Sequence, residues 1–362
     1  DVNQSGDDNG STISQTASGF VSGGLFADVN QSGNGNDSDI TQTASGDPSG
    51  GMLATVNQSG DGNDSTVTQS ADGDPSGLLG ANVNQYGSDN NAFVTQTADG
   101  DWSGLFGADV QQGGSDNTGT VNQVVTIDNN SFATGSGNYD ASILQNGTNG
   151  TATINQGSDS MNDSTLVASI EQIAGNLNMA TITQQDNEND GFIKQDGDNN
   201  TSSITQDSDG GALGNAIGNT AVNLQTGNGN SSVINQGQLS NNAFVEQIGN
   251  TNTSTVDQLG DTNDAQVRQL GTDGRSMVSQ DGNSQYAELN QSGVNNESNI
   301  TQGNGTGTGS NSAVVTQSTD DNLSNIMQNG TSNTAIVNQT DTFGNVSNIS
   351  QTGTGNMATV NQ

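Results

Sequence analysis

The 362-residue chain contains no cysteine and no histidine. Disulfide bonds, thiolate metal sites and imidazole acid–base catalysis are therefore excluded. Only Lys194, Arg268 and Arg275 carry positive side-chain charge, against 39 Asp and Glu residues, and the net charge is −36. A chain this acidic repels nucleic acids and anionic membrane surfaces, so neither is expected as a partner.

Apolar residues are also scarce, with hydrophobic residues at 27% and aromatic residues at 3%. An ordinary globular core is not available, and no apolar run approaches the roughly 20 residues that cross a bilayer. The abundance of Gly, Asn, Gln and Ser is compatible with a disordered or prion-like chain. Because the sequence begins at Asp1 without an initiator Met or a signal peptide, we expect a mature, processed form of a secreted protein.

A regular repeat argues against disorder. A glutamine preceded two positions earlier by Ile, Val or Leu recurs 29 times, from Gln4 to Gln362, and we call these glutamines anchors. Asn223 is the one non-aliphatic residue at the position two before an anchor. Most successive anchors are 11 residues apart. Self-similarity at a fixed period indicates one structural unit that is stacked many times.

The residues before each anchor alternate with period two, which predicts a β-strand. The anchor, the aliphatic residue and a small residue four before the anchor share one face, which we assign to the interior. The small residue is Ala in one kind of strand, such as Ala54, and mostly Ser in the next, such as Ser65. Because the two kinds alternate along the chain, two strands make one coil.

The sequence therefore predicts an all-β fold, a β-solenoid of two-stranded coils with two facing parallel sheets and cross-β stacking. We expect residues 1–362 to form a single domain of about 14.5 coils, irregular or inserted at about 124–140 and 207–220. The Gly-containing turns after the anchors suit positive φ angles.

An Asn commonly lies six before an anchor, with the same inward parity as the anchor. In stacked coils, Gln and Asn would form ladders in which each amide bonds its counterpart above and below. We predict these ladder positions, which include the outermost coils, to be the functional sites: Gln4, Asn9, Gln15, Gln31, Asn36, Gln42, Gln58, Asn63, Gln69, Gln339, Asn345, Gln351, Asn356 and Gln362.

Longer connections lead into several Ala-type strands, where apolar residues replace the inward Asn: Leu25, Met52, Leu79, Phe106, Tyr139 and Leu166. This pattern favours a longer strand and a wider core. A second interpretation is that Phe26, Leu78 and Trp102 form an exposed ridge for lateral contacts. Pro48 and Pro75 occupy equivalent loop positions, where the loss of a backbone donor is harmless.

Both ends of the sequence lie close to an anchor, so we expect open strand edges that act as templates for another copy. The physical expectation is head-to-tail addition into a fibre, with turn Asp residues that limit lateral aggregation.

The repeat resembles the curlin repeat of the major curli subunit. The resemblance is carried by VNQSGDDNGSTISQ at 2–15 and VNQSGDGNDSTVTQ at 56–69, and it covers nearly the whole chain. It implies a functional amyloid of the bacterial outer surface, used in biofilm matrix and adhesion. It also implies copies of the chain, a minor nucleator subunit and an outer-membrane secretion channel as partners. By the same resemblance, the ladder residues of the terminal repeats matter most for assembly.

Four alternatives remain open. A β-helical enzyme is disfavoured because the chain lacks His and has few basic residues, so no catalytic residue or cofactor is expected. An ice-binding surface is suggested by outward Thr residues such as Thr41 and Thr68. The segment 186–191 has the alternating oxygens of a calcium loop but no glutamate at the twelfth position, so no metal is expected. A monomeric secreted adhesin is the main alternative to a polymer.

Overall fold

The computed structural model describes residues 1–20, 23–47, 50–73, 77–99, 104–126, 137–158, 165–186, 188–208, 218–303 and 310–362. Within these residues the chain forms 29 β-strands, one for each anchor, and no helix. Among the described residues, the Cα positions define a first compact unit, residues 1–190, and a second, residues 191–208 and 218–362. The prediction of a single domain over 1–362 stays a prediction.

The strands of the first unit are mostly eight or nine residues long. They are β1 (Val2–Ser5), β2 (Gly10–Ser18), β3 (Leu25–Ser32), β4 (Asp37–Ser45), β5 (Met52–Ser59), β6 (Asp64–Asp72), β7 (Leu78–Gln85), β8 (Asn91–Asp99), β9 (Leu105–Gln112), β10 (Thr118–Thr126), β11 (Asn138–Gln145), β12 (Thr151–Ser158), β13 (Thr165–Ala174) and β14 (Met179–Gln185).

The strands of the second unit follow the same motif and are mostly shorter. They are β15 (Asp190–Asp196), β16 (Thr201–Asp207), β17 (Thr220–Thr226), β18 (Ser231–Gly237), β19 (Asn242–Ile248), β20 (Thr253–Gln258), β21 (Asp264–Gln269), β22 (Arg275–Asp281), β23 (Tyr286–Gln291), β24 (Glu297–Gly303), β25 (Ser312–Gln317), β26 (Leu323–Thr331), β27 (Thr334–Gln339), β28 (Val346–Thr354) and β29 (Met357–Asn361).

Odd-numbered strands form one parallel sheet of 15 strands and even-numbered strands form another of 14. Pairing is in register on the anchors: Gln31 pairs with Gln58 on one sheet, and Gln42 pairs with Gln69 on the other. Parallel neighbours lie about 4.8 Å apart, so equivalent side chains stack directly above one another. The predicted all-β solenoid with two parallel sheets is confirmed.

The core is a narrow stripe between the two sheets. At most levels the odd strand contributes an Ala and an aliphatic residue, such as Ala54 and Val56, which are both fully buried. The even strand contributes an aliphatic residue such as Val67 beside a buried Ser or Ala. Repetition of this small layer replaces the globular core that the composition cannot supply.

The first unit has a wider core than the repeat alone provides. Met52, Leu79 and Phe106 are buried as predicted, together with Tyr139 and Leu166, while Leu25 is partly buried. The rings of Phe106 and Tyr139 stack with centroids 4.8 Å apart. Facing them is a column that the sequence analysis missed, which consists of Ala44, Ala71, Ala98 and Val125. These residues lie two after an anchor and therefore keep the inward parity.

The second interpretation of the long connections also has a structural counterpart. Phe26 and Leu78 point outward and are 65% and 55% exposed. Trp102, Pro48 and Pro75 lie outside the described residues. Core widening and outward apolar residues therefore occur in the same strands, on opposite faces.

The two irregular segments fall between successive strands. β10 ends at Thr126 and β11 begins at Asn138, while β16 ends at Asp207 and β17 begins at Thr220. The anchors on either side keep their alternate sheets. Most of 124–140 and of 207–220 lies outside the described residues.

A column of serines runs through the core on the even-numbered sheet. Eight of these buried hydroxyl oxygens have no hydrogen-bond partner within the described part of the chain: Ser38, Ser65, Ser232, Ser254, Ser276, Ser298, Ser324 and Ser347. Stacked Oγ atoms at the strand spacing are too far apart to bond one another. In β8, β12 and β14 the same position is Ala92, Ala152 or Ala180, so alanine fits this layer.

We expect Ser254→Ala to raise the free energy of unfolding by about 1 kcal/mol, because a buried hydroxyl without a partner is removed. The matched control is Ser202→Ala, since the Ser202 hydroxyl accepts a 2.6 Å hydrogen bond from the Asn223 amide. That variant should be less stable, because it leaves the buried Asn223 amide unpaired. Urea unfolding of both variants measures whether the free energy of unfolding rises for Ser254→Ala and falls for Ser202→Ala. Equal destabilisation of the two variants would contradict the conclusion that the Ser254 hydroxyl has no partner.

Candidate functional site

Each interior anchor glutamine links three parts of the solenoid. The Nε2 of Gln58 donates to the Oε1 of Gln85 at 2.9 Å, one coil along the stack. The same Nε2 also donates to the Asp37 carbonyl at 2.8 Å and to the Asn63 carbonyl at 3.0 Å. These two carbonyls lie where strands β4 and β6 of the opposite sheet begin. Its own Oε1 accepts from Gln31 at 2.8 Å. The side chain thereby joins consecutive coils and also ties one sheet to the other.

The ladder runs on both sheets of the first unit. On the odd sheet Gln4 donates to Gln31 at 2.6 Å. On the even sheet Gln15 donates to Gln42 at 2.7 Å, and Gln42 donates to Gln69 at 2.8 Å. An unpaired buried amide would cost about 1–3 kcal/mol. In the ladder that cost is removed at every level, because each glutamine meets an identical partner.

The second unit repeats this geometry. Gln317 donates to Gln339 at 2.8 Å, and Gln339 donates to Gln362 at 3.1 Å. On the other sheet Gln328 donates to Gln351 at 2.8 Å. The predicted glutamine positions of both units therefore lie on continuous hydrogen-bonded columns.

The inward asparagines form a second column at the turns. The Nδ2 of Asn63 donates to the Oδ1 of Asn36 at 3.0 Å and to the Gly87 carbonyl at 2.9 Å. The backbone N–H of Asn63 also donates to the Asn36 Oδ1, and Asn36 bonds Asn9 in the same way. The amide thus satisfies turn backbone groups that would otherwise be buried without partners.

In the second unit asparagine columns occur at both turns of the coil. One contains Asn322 and Asn345, with the Asn345 N–H 3.0 Å from the Asn322 Oδ1. The other contains Asn333 and Asn356, whose amides are 2.9 Å apart. It continues through other residues that the sequence prediction left out, which are Asn219, Asn241, Asn263, Gln285 and Asn311. Apart from Asn356, the prediction omitted the inward position six before an anchor in the Ala-type strands, and this position was the signal that could have found the column.

Burial separates the predicted positions into two groups. Gln31, Asn36, Gln42, Gln58, Asn63, Gln69, Gln339 and Gln351 are buried. The outermost described levels present their amides to solvent, because Gln4, Gln15, Asn356 and Gln362 are exposed and Asn9 and Asn345 are half-buried.

The turns need glycine for two reasons. Gly33 and Gly60 have φ angles of 106° and 109°, in the region that favours glycine. A Cβ on Gly33 would also lie 2.0 Å from the carbonyl oxygen of Gly60 in the next coil. Stacked turns therefore approach too closely for any side chain at this position.

In-register stacking also places like charges together. Asp37 pairs directly with Asp64 on the even sheet. The pKa of Asp64 is raised by desolvation first and then by the nearby charges of Asp37 and Asp39. Burial likewise raises the pKa of Asp190. Desolvation, together with the hydrogen bond and charge of Glu288, raises the pKa of Tyr286 to about 12.

The alternative of a calcium loop at 186–191 stays untested, because Asn187 lies outside the described residues. Within the described ranges, no three His, Cys, Asp or Glu residues are grouped so that they could hold a metal ion. No helix in the described part of the chain is long and apolar enough to span a bilayer.

Gln247→Leu tests the ladder within one unit. The Gln247 amide accepts from Gln225 at 2.9 Å and donates to Gln269 at 2.8 Å. Leucine removes one hydrogen bond from each neighbour and leaves the buried Oε1 of Gln269 without its donor, so we expect the free energy of unfolding to fall by about 2–4 kcal/mol. The control Gln266→Leu changes an outward glutamine of the adjacent strand, and its urea midpoint should stay near that of the parent. Equal midpoints for the two variants would refute the ladder's contribution.

Asp64→Asn tests the cost of the stacked carboxylates. Because the folded-state pKa of Asp64 is raised, the parent loses stability as the pH rises through that pKa, and the full loss persists at neutral pH. We therefore expect the variant to be more stable than the parent at pH 7. The difference should vanish below the ordinary pKa of 3.8, where the parent carboxyl is protonated. Thermal unfolding of parent and variant at pH 7 and at pH 3 measures the stability difference at both limits. A stability difference that does not change with pH would show that ionisation of Asp64 is not its cause.

Comparison with known families identifies the type of repeat in one segment of the chain. Residues 240–271 match the family model described as the curlin associated repeat. This segment contains strands β19, β20 and β21 with their ladder glutamines Gln247, Gln258 and Gln269. None of the curated proteins compared with the chain matches it. The chain carries a curlin associated repeat, and the predicted resemblance to curlin-repeat proteins is confirmed.

Proposed function

We propose that the protein is a non-catalytic structural subunit that assembles head-to-tail into curli-like amyloid fibres. The observation that carries this proposal is the continuous ladder of buried glutamines. Each level of a ladder presents the same donor and acceptor as the next, for example at Gln31, Gln58 and Gln85. A surface that binds a copy of itself at every level within the chain is suited to bind a further chain in the same way.

The outermost strands supply the groups that such an addition needs. Among the described residues, β1 pairs only with β3, and β29 pairs only with β27. The exposed amides of Gln4 and Gln362 lie on these two strands or directly beside them. A second copy docked there would continue the backbone ladder and the amide ladder together, and it would bury another aliphatic layer.

Charge supports solubility before assembly. A net charge of −36 keeps separate chains apart at low ionic strength. Much of this charge lies in the turns beside the sheets. Salt can therefore screen these charges without disturbing the core. Assembly that accelerates with ionic strength fits this arrangement.

The cellular setting follows from the family resemblance. We propose secretion to the bacterial outer surface, where fibres would serve in biofilm matrix and adhesion. The corresponding partners are copies of this chain, a minor nucleator subunit and an outer-membrane secretion channel.

The test is seeded assembly of the chain in buffer with 150 mM salt, about physiological ionic strength. We expect unbranched fibres by electron microscopy and a diffraction spacing of about 4.8 Å along the fibre. Persistent monomers in the presence of seeds would sink the proposal and favour a monomeric adhesin.

The double variant Gln4→Ala, Gln15→Ala addresses the docking edge. Both side chains are exposed and each donates to one inner glutamine, so unfolding should change little. We expect seeded elongation to slow by up to about tenfold, because an incoming chain loses amide partners. Thr12→Ala, on the outward face of the same strand β2, is the matched control and should elongate at the parent rate. If both variants elongate equally fast, the edge amides do not guide docking.

A further inference from the structure

Four consecutive strands of the first unit, β3, β5, β7 and β9, carry an alternating pattern of large and absent side chains on their outward face. We number these strands as levels one to four. The near row lies five positions before each anchor and reads Phe26, Leu53, Gly80 and Gly107. The far row lies seven before each anchor and reads Gly24, Gly51, Leu78 and Leu105.

The large residues are accessible. Phe26 and Leu78 are more than half exposed, and Leu53 and Leu105 are each 49% exposed. Exposed apolar residues on adjacent levels are unusual in a chain with so few of them. At levels one and two the near row has the large residue and the far row has glycine. At levels three and four the arrangement is reversed.

The near-row glycines are not required by the backbone. Neither Gly80 nor Gly107 has a positive φ angle. A Cβ on Gly80 would meet nothing nearer than the Phe106 carbonyl oxygen at 3.6 Å. Glycine within a strand weakens the strand and often marks a place where another group approaches closely. A Cβ on Gly107 would lie 2.8 Å from the Asp140 Oδ1, which is the end of a side chain and not backbone. What the two glycines share is the open space on their outward side.

That space is a continuous shallow groove. It has a volume of about 420 Å³ and runs among Phe26, Leu53, Leu78 and Leu105. A second depression of about 550 Å³ continues across Gly80 and Gly107 towards Val167. The side chains of Phe26 and Leu78 lean over Gly24 and Gly51 of the same chain, so pairing would require these two side chains to change rotamer.

The pattern is complementary to itself under one rotation. Consider a two-fold axis that lies in the plane of the contact, parallel to the strands, between levels two and three. This axis places level one opposite level four of a second copy, and level two opposite level three. Phe26 then faces Gly107, Leu53 faces Gly80, Leu78 faces Gly51 and Leu105 faces Gly24. Every large residue meets a glycine in both rows.

We propose that this face is a lateral, isologous interface between two copies of the chain whose stacking axes run antiparallel. A self-complementary patch of this kind is what a two-fold contact requires. The inference does not depend on head-to-tail assembly, since a pair of separate chains satisfies it.

Charged residues beside the two rows determine how the proposed pairing depends on ionic strength. The same axis sets Asp28 of one copy opposite Asp109 of the other. Asp28 lies 3.5 Å from the N-terminal ammonium group, and Asp109 accepts hydrogen bonds from Asn82 and Gln111. These contacts offset only part of the repulsion, so pairing should strengthen with ionic strength. Because eight positions make a small interface, a single pair should be weak, and many aligned copies would bind more tightly.

Cysteine cross-linking tests the axis directly, because the chain has no cysteine of its own. Phe26→Cys and Gly107→Cys chains are mixed and treated with the short reagent bismaleimidoethane, which can bridge sheets packed about 10 Å apart. The mixture should give cross-linked dimers. Either variant alone should give far fewer, because its two cysteines would lie three levels, or about 14 Å, apart along the stack.

The reference pair is Phe26→Cys with Gly157→Cys, whose cysteine lies on strand β12 of the even sheet. Equal yields from the mixture and the reference pair would overturn the interface. High yields from either variant alone would overturn the proposed axis.

A steric exchange tests the same match without cross-linking. Gly80→Leu places a leucine opposite Leu53 and should weaken pairing about tenfold. The double variant Leu53→Gly, Gly80→Leu restores a large residue opposite a glycine and should recover pairing. Gly157→Leu is the matched control and should pair like the parent.

Sedimentation equilibrium measures the pairing of soluble chains, and electron microscopy measures the pairing of fibres. Loss of pairing in the exchange variant would refute the match. If no fibres form but soluble pairs do, the head-to-tail proposal fails while the lateral interface stands. If single fibres form without cross-linked pairs, the lateral interface fails while the head-to-tail proposal stands.

Discussion

In-register stacking is the constraint on which the rest of this structure depends. Parallel strands in register place each residue against its own counterpart in the next coil, so every side-chain choice is repeated along the stack. A glutamine such as Gln58 gains a donor and an acceptor from its copies, which makes a buried amide stabilising. A carboxylate such as Asp64 is instead partly desolvated and also stacked on the like charge of Asp37, and both effects raise its pKa. The composition follows from this rule: amides and small residues lie inside, and the described acidic residues lie in turns or on the outward faces of strands.

The same rule explains how a chain with 27% hydrophobic residues can fold. In the basic repeat, each strand buries one aliphatic and one small residue, and the glutamine amide completes the layer by bonding to the opposite sheet as well as to its neighbours along the stack. Where the amide column gives way to Met52, Leu79 and Phe106, the strands lengthen and the facing strands supply Ala44, Ala71 and Ala98. The inward position six before an anchor can therefore be filled either by a column of amides or by a column of apolar side chains.

The proposed function rests on the repetition of one layer rather than on a single pocket. A ladder that binds its own copy at every level gives a physical basis for polymer growth, and the curlin associated repeat at residues 240–271 points to the same class of protein. In the proposed lateral interface, the alternating outward rows of the first unit would extend self-recognition to a second direction, across the proposed fibre. The proposed growth along the axis would rely on hydrogen bonds, whereas the proposed contact across the axis would rely on apolar side chains that fit above glycine.

The sequence alone determined the strands, their inward faces and the two-stranded coil, because a period of two and a recurring glutamine are local signals that survive variable spacing. It also located the glutamine columns and the asparagine column of the Ser-type strands, but it missed most of the amide column in the Ala-type strands. Only the tertiary structure decided which residues align between coils, because connections of different length change sequence distance without changing stacking position. The pairing of Leu53 with Gly80, the facing column of Ala44, Ala71 and Ala98, and the unpartnered hydroxyl of Ser254 all depend on that alignment. These contacts join residues that are distant in sequence, so no local pattern could specify them.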